Sequence, residues 1–326
     1  MNICKCGYFK DLKDPACCFL CYKKQGHGPL CKKNLKYKID ESEKYFFETS
    51  ESGLGDRLGQ VITVCSYAEC FGIDKIVILW KNSAHRNYLL GDVQKYLTFP
   101  KNCIVTDDNN MIKDRKPLYL FNNLRKWDHS FDIVPESAFQ LLKENYDWVS
   151  SKYNNNLCLD DFIFIHKNIA SQITIDSKIL KGNVFPQTKY KCIHIRRDDK
   201  LISVRQPFMP KCLVKKIVND YSNDVFFIVS DDKIPQSILN INQFNFYTDD
   251  SLNNTEKVLL DMYILVNSTD IISVIYSDGW SSFSYVCSKI GNINLLSFVP
   301  VNTRYSTLCN FINSSKLDMY DVEYIN

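Results

Sequence analysis

YKCIHIRRDDK, residues 190–200, decides the fold class. An apolar run containing Cys192, Ile193 and Ile195 passes without a turn into His, Arg, Arg, Asp and Asp. A short apolar run that lacks polar alternation marks a strand covered on both faces, as in a parallel sheet. The pattern repeats downstream. DVFFIVS (224–230), FNFYT (244–248), DIISVIY (270–276) and INLLSF (293–298) read as strands, whereas EKVLLDMYILVN (256–267) and SSFSYVCSKI (281–290) read as helices. A further helix is expected near 210–220, after Pro207 and Pro210. Such alternation with short connections implies an α/β fold with a doubly wound parallel sheet.

An earlier series has the same grammar. YFFET (45–49) reads as a strand, GLGDRLGQ (53–60) as a glycine-rich turn, and the segment through about Phe71 as a helix with Leu58, Val61, Ile62, Cys65 and Ala68 at helical spacing. KIVILW (75–80) is a buried strand, and residues 85–185 are less regular, with strands near 102–105 and 117–121 and a helix near 136–148. Two series predict two Rossmann-like domains, 37–186 and 187–326, with a ligand cleft at the strand carboxyl ends.

At 326 residues, 45% hydrophobic and 24% charged, the chain has ordinary globular composition. Residues 1–40 hold nine Lys and three Asp, so the remainder is net negative although the whole chain carries +3. A basic stripe along the main body, which nucleic-acid binding would call for, is missing. No run of 18 apolar residues offers a membrane span, and MNICKCGYFKDLKD lacks the apolar centre of a signal peptide, so a cytoplasmic protein is expected. Six of the 14 Cys stand at positions 4, 6, 17, 18, 21 and 31, which sets residues 1–36 apart as a small Cys-rich module.

A strand that ends in His194, Arg196, Arg197 and Asp199 carries charge costly to bury without a partner. A ligand of opposite charge is one partner, and a guanidinium fork suits a diphosphate; an internal Arg–Asp cluster is the other reading. Asp231, in SDD (230–232), ends the next strand and either faces the same crevice or caps the following helix. On helix 256–267, Val258, Leu259, Met262, Leu265 and Val266 form one face. Asp261 lies about 40° beyond its edge at roughly 100° per residue. That carboxylate needs donors, which the N1 and N2 hydrogens of guanine or an internal Arg or Ser would provide. SDGWSSFS (277–284) opens a helix with Ser281 and Ser282, suited to anion binding or to plain capping. Gly53 and Gly55 allow close backbone approach or serve turn geometry, and their spacing is not that of a dinucleotide fold. GxSxG, HExxH, GxxxxGK[ST] and DxD strings are all missing from the chain.

Together these strings resemble the inverting fucosyltransferases: the α-1,6 and nodulation enzymes, the α-1,2 enzymes and the protein O-fucosyltransferases. HIRRDDK is similar to the HxRR-x-D signature at His194, Arg196, Arg197 and Asp199, with the Lys of the α-1,6 type at Lys200. FFIVSDD (226–232), LLDMYILVNSTDIISV (259–274) with SSFS (281–284), and GLGDRLG (53–59) are similar to the remaining motifs in the same order. The resemblance implies a GT-B fold with an acceptor-side amino domain and a donor-binding carboxyl domain, two Rossmann-like domains facing a cleft. It implies GDP-fucose as donor, a glycan or glycoprotein acceptor, and catalysis by Arg196 and Lys200 without a metal cofactor. Arg196 and Arg197 would hold the diphosphate, His194 and Asp261 would lie near guanine, and Ser281 and Ser282 would touch phosphate. The α-1,6 type carries a Glu shortly after its Lys, whereas LISVRQ (201–206) has none.

The Cys-rich module lies outside that resemblance. CKC (4–6), CCFLC (17–21), His27 and Cys31 offer enough soft ligands for one tetrahedral structural zinc. The favoured set is Cys6, Cys18, Cys21 and Cys31, with His27 as the replacement; free thiols and disulfides are the alternatives.

Overall fold

The computed structural model describes residues 37–40, 42–82, 88–118, 120, 133–147, 153, 156–181, 189–195, 225–230, 244–246, 252–274 and 281–298. The Cys-rich module with its zinc ligands, the helix near 210–220, and Arg196, Arg197, Asp199, Lys200 and Asp231 lie outside the described residues.

In chain order the strands are β1 (Tyr37–Lys38), β2 (Tyr45–Glu48), β3 (Ile76–Leu79), β4 (Leu97–Thr98), β5 (Cys103–Thr106), β6 (Lys116–Pro117), β7 (Tyr146–Asp147), β8 (Thr174–Ile175), β9 (Lys191–Ile195), β10 (Phe226–Ser230), β11 (Phe244–Phe246), β12 (Asp270–Val274) and β13 (Asn294–Phe298). The α-helices are α1 (Leu54–Phe71), α2 (Leu90–Gln94), α3 (Pro135–Asn145), α4 (Leu159–Ala170), α5 (Asn254–Val266) and α6 (Ser282–Gly291).

Two parallel sheets organise the chain. One has the order β5-β3-β2-β6 and the other β11-β10-β9-β12-β13. Ile76, Val77, Ile78 and Leu79 are all buried, as a strand covered on both faces requires. Helix α1 is buried almost all round, because Val64, Tyr67 and Phe71 join Leu58, Val61, Ile62, Cys65 and Ala68 in the core. Each fully buried Val, Leu or Ile contributes about 1.5–3 kcal/mol, which outweighs the weak helix preference of β-branched residues. The expected glycine turn at 53–60 is mostly helix: α1 begins at Leu54 and includes Gly55. The expected strand at 117–121 is the two-residue β6, and α4 is a helix that residues 85–185 did not announce.

The described residues fall into two compact units. One draws on Met1–Glu51, Asp56–Lys81 and Phe99–Ile169, the other on Ser52–Gly55, Asn82–Thr98 and Ala170–Asn326. The sequence cut at 186/187 therefore differs from the packing, which assigns the described residues 88–98 and 170–181 to the carboxyl unit. The reason is visible in its contacts. Strand β4 pairs antiparallel with β8, the Asp176 amide donates to the Tyr96 carbonyl, and Tyr96 and Lys181 both donate to Glu256 on α5.

In the carboxyl unit β9 is central. The chain steps outward through β10 to β11, then returns to the other side of β9 for β12 and β13. That reversal is a topological switch point between β9 and β12, and ligands of open α/β sheets bind at the carboxyl ends of such strand pairs.

Candidate functional site

His194 lies one residue before the end of β9 and is buried, with 5% of its surface exposed. Its register partner on β12 is Ser273, which is 1% exposed. Neighbours in register share a face of the sheet, and α6 covers that face with Ser284, which is wholly buried. The His194 Nδ1 meets the Ser284 Oγ, and the Ser284 Oγ lies 3.0 Å from the Ser273 Oγ. Phe283, half-buried on the same helical turn, sets its ring 5.6 Å from the imidazole. The structure thus brings His194 to the start of α6, a proximity that 87 intervening residues do not reveal.

Ser281 is the N-cap of α6, where its hydroxyl accepts from the Ser284 amide at 3.3 Å. Capping is therefore the observed work of that hydroxyl. Ser282, the first helical residue, is buried at 8% exposure. Gly55 belongs to the same unit and lies against this turn. A Cβ there would stand 2.5 Å from the Phe283 Cα and 2.9 Å from the Ser282 carbonyl carbon. Close approach, not turn geometry, is what demands glycine at 55. Gly53 is half-buried just ahead of α1.

Asp261 is half-buried on α5. The helix buries Leu259, Met262 and Leu265 as the pattern expects, but also Leu260 and Ile264, while Val258 and Val266 stay half-buried. Cys192 on β9 and Cys287 on α6 are fully buried, and burial, followed by the Asp261 charge, pushes both thiols well above their usual range. Cys192 and His194 are two apart on β9 and so share a face, as do Cys287 and Ser284, three apart on α6. The charge of Asp261 thus reaches the buried interior between β9 and α6.

Several contributors were not legible as candidates. Glu256 closes a capping box with Asn253 and also accepts from Tyr96 at 2.8 Å and Lys181 at 3.2 Å, which anchors the helix bearing Asp261. Its carboxyl is held low, chiefly by the Asn253 amide. In the other unit Arg57 is wholly buried, its guanidinium 5.2 Å from the centre of the Trp80 ring. The Asn253–Glu256 spacing could have signalled the cap; the rest are contacts between distant stretches.

No family model matches the sequence, and no curated protein matches it. Solved structures do match. A crystal structure of the NodZ alpha-1,6-fucosyltransferase soaked with GDP-fucose aligns with 79% of this chain and 95% of its own, at 14% identity and a TM-score of 0.50. This chain has that enzyme's fold. Two other structures align less closely. The NodZ fucosyltransferase from Bradyrhizobium covers 76% of this chain and 91% of its own at 15% identity and a TM-score of 0.47. A mutant of Arabidopsis thaliana FUT1 in complex with GDP covers 82% and 73%, at 11% identity and a TM-score of 0.45. Within that fold, His194 and Ile195, which open the HIRRDDK string, end the central strand β9. No helix among the described residues is long and apolar enough to cross a membrane, and no His, Cys, Asp or Glu group among them could hold a metal.

Proposed function

We propose that this protein is an inverting fucosyltransferase that moves fucose from GDP-fucose to a hydroxyl of a glycan or glycoprotein. The observation that carries the reading is positional: the string HIRRDDK begins on the central strand of the carboxyl sheet, beside the switch point, in a fold shared with an α-1,6-fucosyltransferase. On this reading the two units are the acceptor and donor halves of a GT-B enzyme that face a cleft. Arg196 and Arg197 hold the diphosphate, with Asp199, Asp231, Ser282 and the glycines at 53 and 55 lining the donor site. Arg196 and Lys200 stabilise the charge that develops on the leaving phosphate, the kind of preorganised electrostatic contribution that dominates many transfer reactions. Arginines in that role make a catalytic metal unnecessary. The acceptor oxygen attacks the anomeric carbon from the face opposite the leaving GDP, the sugar–phosphate bond breaks, and the acceptor proton passes to a base. A structural zinc in residues 1–36 and a cytoplasmic location belong to the same proposal.

A panel of nucleotide sugars, assayed for GDP or UDP release with mixed glycan acceptors and EDTA present, tests it. Selective, EDTA-resistant turnover of GDP-fucose is expected. Preference for another donor would keep the transferase and reject fucose. The lack of a Glu in LISVRQ (201–206) favours one second reading, a nucleotide-sugar-binding protein without turnover, which would bind GDP yet release none from any donor.

A further inference from the structure

Two thiols of the amino unit face each other. Cys65 stands in the middle of α1 and is wholly buried, whereas Cys103 opens β5 and is half-buried. One turn fixes both. Cys103 pairs in register with Ile76 on β3, and its amide and its thiol both donate to the Pro100 carbonyl, at 3.3 and 3.2 Å. Asn102, the residue just before it, donates through Nδ2 to the Cys65 carbonyl at 2.9 Å. The Asn102 Oδ1 is buried with no partner among the described residues, so holding the α1 backbone is the bond this side chain makes. Because the backbone at 65 is tied to the neighbour of 103, the two sulfurs stay within hydrogen-bonding reach of each other. With its own proton spent on Pro100, the Cys103 sulfur accepts and the Cys65 thiol donates. A disulfide requires side chains already aimed at one another, and a thiol–thiol hydrogen bond supplies that aim. Burial, then the bond to Cys103, pushes the Cys65 thiol well above its usual range, which makes it a poor first nucleophile. Cys103 is the thiol that solvent can reach.

We propose that Cys65 and Cys103 are a reversible disulfide pair, closed by exchange with a small-molecule disulfide such as oxidised glutathione and opened again by excess thiol. In the first step the Cys103 thiolate attacks one sulfur of the small disulfide. Its S–S bond breaks, one thiolate leaves, and a mixed disulfide remains on Cys103. In the second step the Cys65 thiol loses its proton and attacks the Cys103 sulfur, which expels the second small thiolate. Contact with that sulfur offsets the low acidity of Cys65, because the attack is intramolecular. Two protein thiols are oxidised, one small disulfide is reduced to two thiols, and both protein protons end on the departing sulfurs. The bond clamps α1 to β5, which lies at the end of the four-stranded order β5-β3-β2-β6, and closes a loop of 37 intervening residues. Such a loop restricts the unfolded chain more than the folded one. The pair belongs to the amino unit, whereas His194 and Ser284 belong to the carboxyl unit, so the proposal stands apart from the donor reading.

Full-length, folded protein incubated with oxidised glutathione, then alkylated and digested without reduction, reads the bond by peptide mass. A linked pair of peptides that joins Cys65 to Cys103 is expected, with fragment masses separating Cys65 from the nearby Cys70, and dithiothreitol should release it. The same oxidation should raise the melting temperature of the wild type by about 5 °C and leave that of Cys103→Ser where it was. A glutathione adduct that persists on Cys103 while Cys65 still takes the alkylating reagent overturns the pair. So does a link from Cys103 to any other cysteine, or a Cys103 that stays reduced throughout. None of these three outcomes needs a variant to fold. An equal rise in Cys103→Ser would assign the stabilisation to other cysteines and reject the clamp.

Discussion

The two edges of the five-stranded sheet use polar residues in opposite ways. At the amino edge, Lys191 and Asp270 form a half-buried ion pair at 3.1 Å. Asn294 and Thr269 add bonds to the same carboxylate, the Thr269 amide donates to the Tyr190 carbonyl, and the Tyr190 hydroxyl donates to the Ile264 carbonyl. Burial pushes Asp270 up, but its bonds to Lys191, Asn294 and Thr269 outweigh that and hold it below the usual carboxylate range. Every group named there has its partner within the sheet, its adjoining turns or α5. At the carboxyl edge the partners are neutral hydroxyls that orient one imidazole, and the chain then continues into two Arg and two Asp. One edge closes its charges on itself and works as scaffold. The other orients a ring, and in sequence it is followed by Arg196 and Arg197.

If that contrast is right, substitutions at the carboxyl edge should alter activity more than stability, and those at the amino edge the reverse. The largest effect is expected from Arg196→Lys. It keeps the charge but loses the bidentate fork, so turnover at saturating GDP-fucose should fall about 100-fold or more with little change in melting temperature. Near-normal turnover would take Arg196 out of the phosphate site and remove the carboxyl edge's main distinction.

Asp261→Asn comes next and tests a residue between the edges. An acceptor oxygen becomes a donor at nearly constant shape, and a buried mismatch of about 1–3 kcal/mol corresponds to roughly 5- to 150-fold weaker GDP binding. UDP should be much less affected in the same calorimetric series. Unchanged GDP affinity with a lowered melting temperature would group Asp261 with the scaffold.

The smallest effect belongs to the amino edge. Asp270→Asn leaves activity intact and costs about 0.5–1 kcal/mol, the modest value of a solvent-screened pair. Because the folded carboxyl is held low, its contribution is present above the unfolded pKa of about 3.9 and lost as pH falls through the folded value. Chemical denaturation of both forms at neutral pH and near pH 3 should therefore show a gap that closes in acid. A gap that stays constant with pH would mean that packing, not charge, accounts for it.

Much of the fold was legible because its elements are short-range. Apolar runs at 75–80, 190–195 and 226–230 could only be buried strands, and α5 and α6 follow their apolar spacing to within two or three residues. The site was legible in part. His194 stood out because a polar ring inside an apolar strand is costly, yet nothing at 273 or 284 marked those serines as its partners. Ser281 showed the opposite limit, since one signature fitted both anion binding and capping, and the placed Ser284 amide shows the capping. Gly55 left close approach and turn geometry equally open, and only the placed backbone of Ser282 and Phe283 decides for close approach.

What the sequence determined by itself was therefore the order of the main strands and helices of both series and the parallel character of the sheets, and it singled out 190–200 as the candidate ligand segment. Those follow from hydrophobic period and local charge, which act over a few residues. The tertiary structure alone decided that residues 88–98 and 170–181 pack with the carboxyl unit, that Ser273 stands level with His194, and that Ser284 joins them. Strand register and helix docking are set by the summed packing of distant side chains, and a one-residue slip would have turned Ser273 to the other face of the sheet.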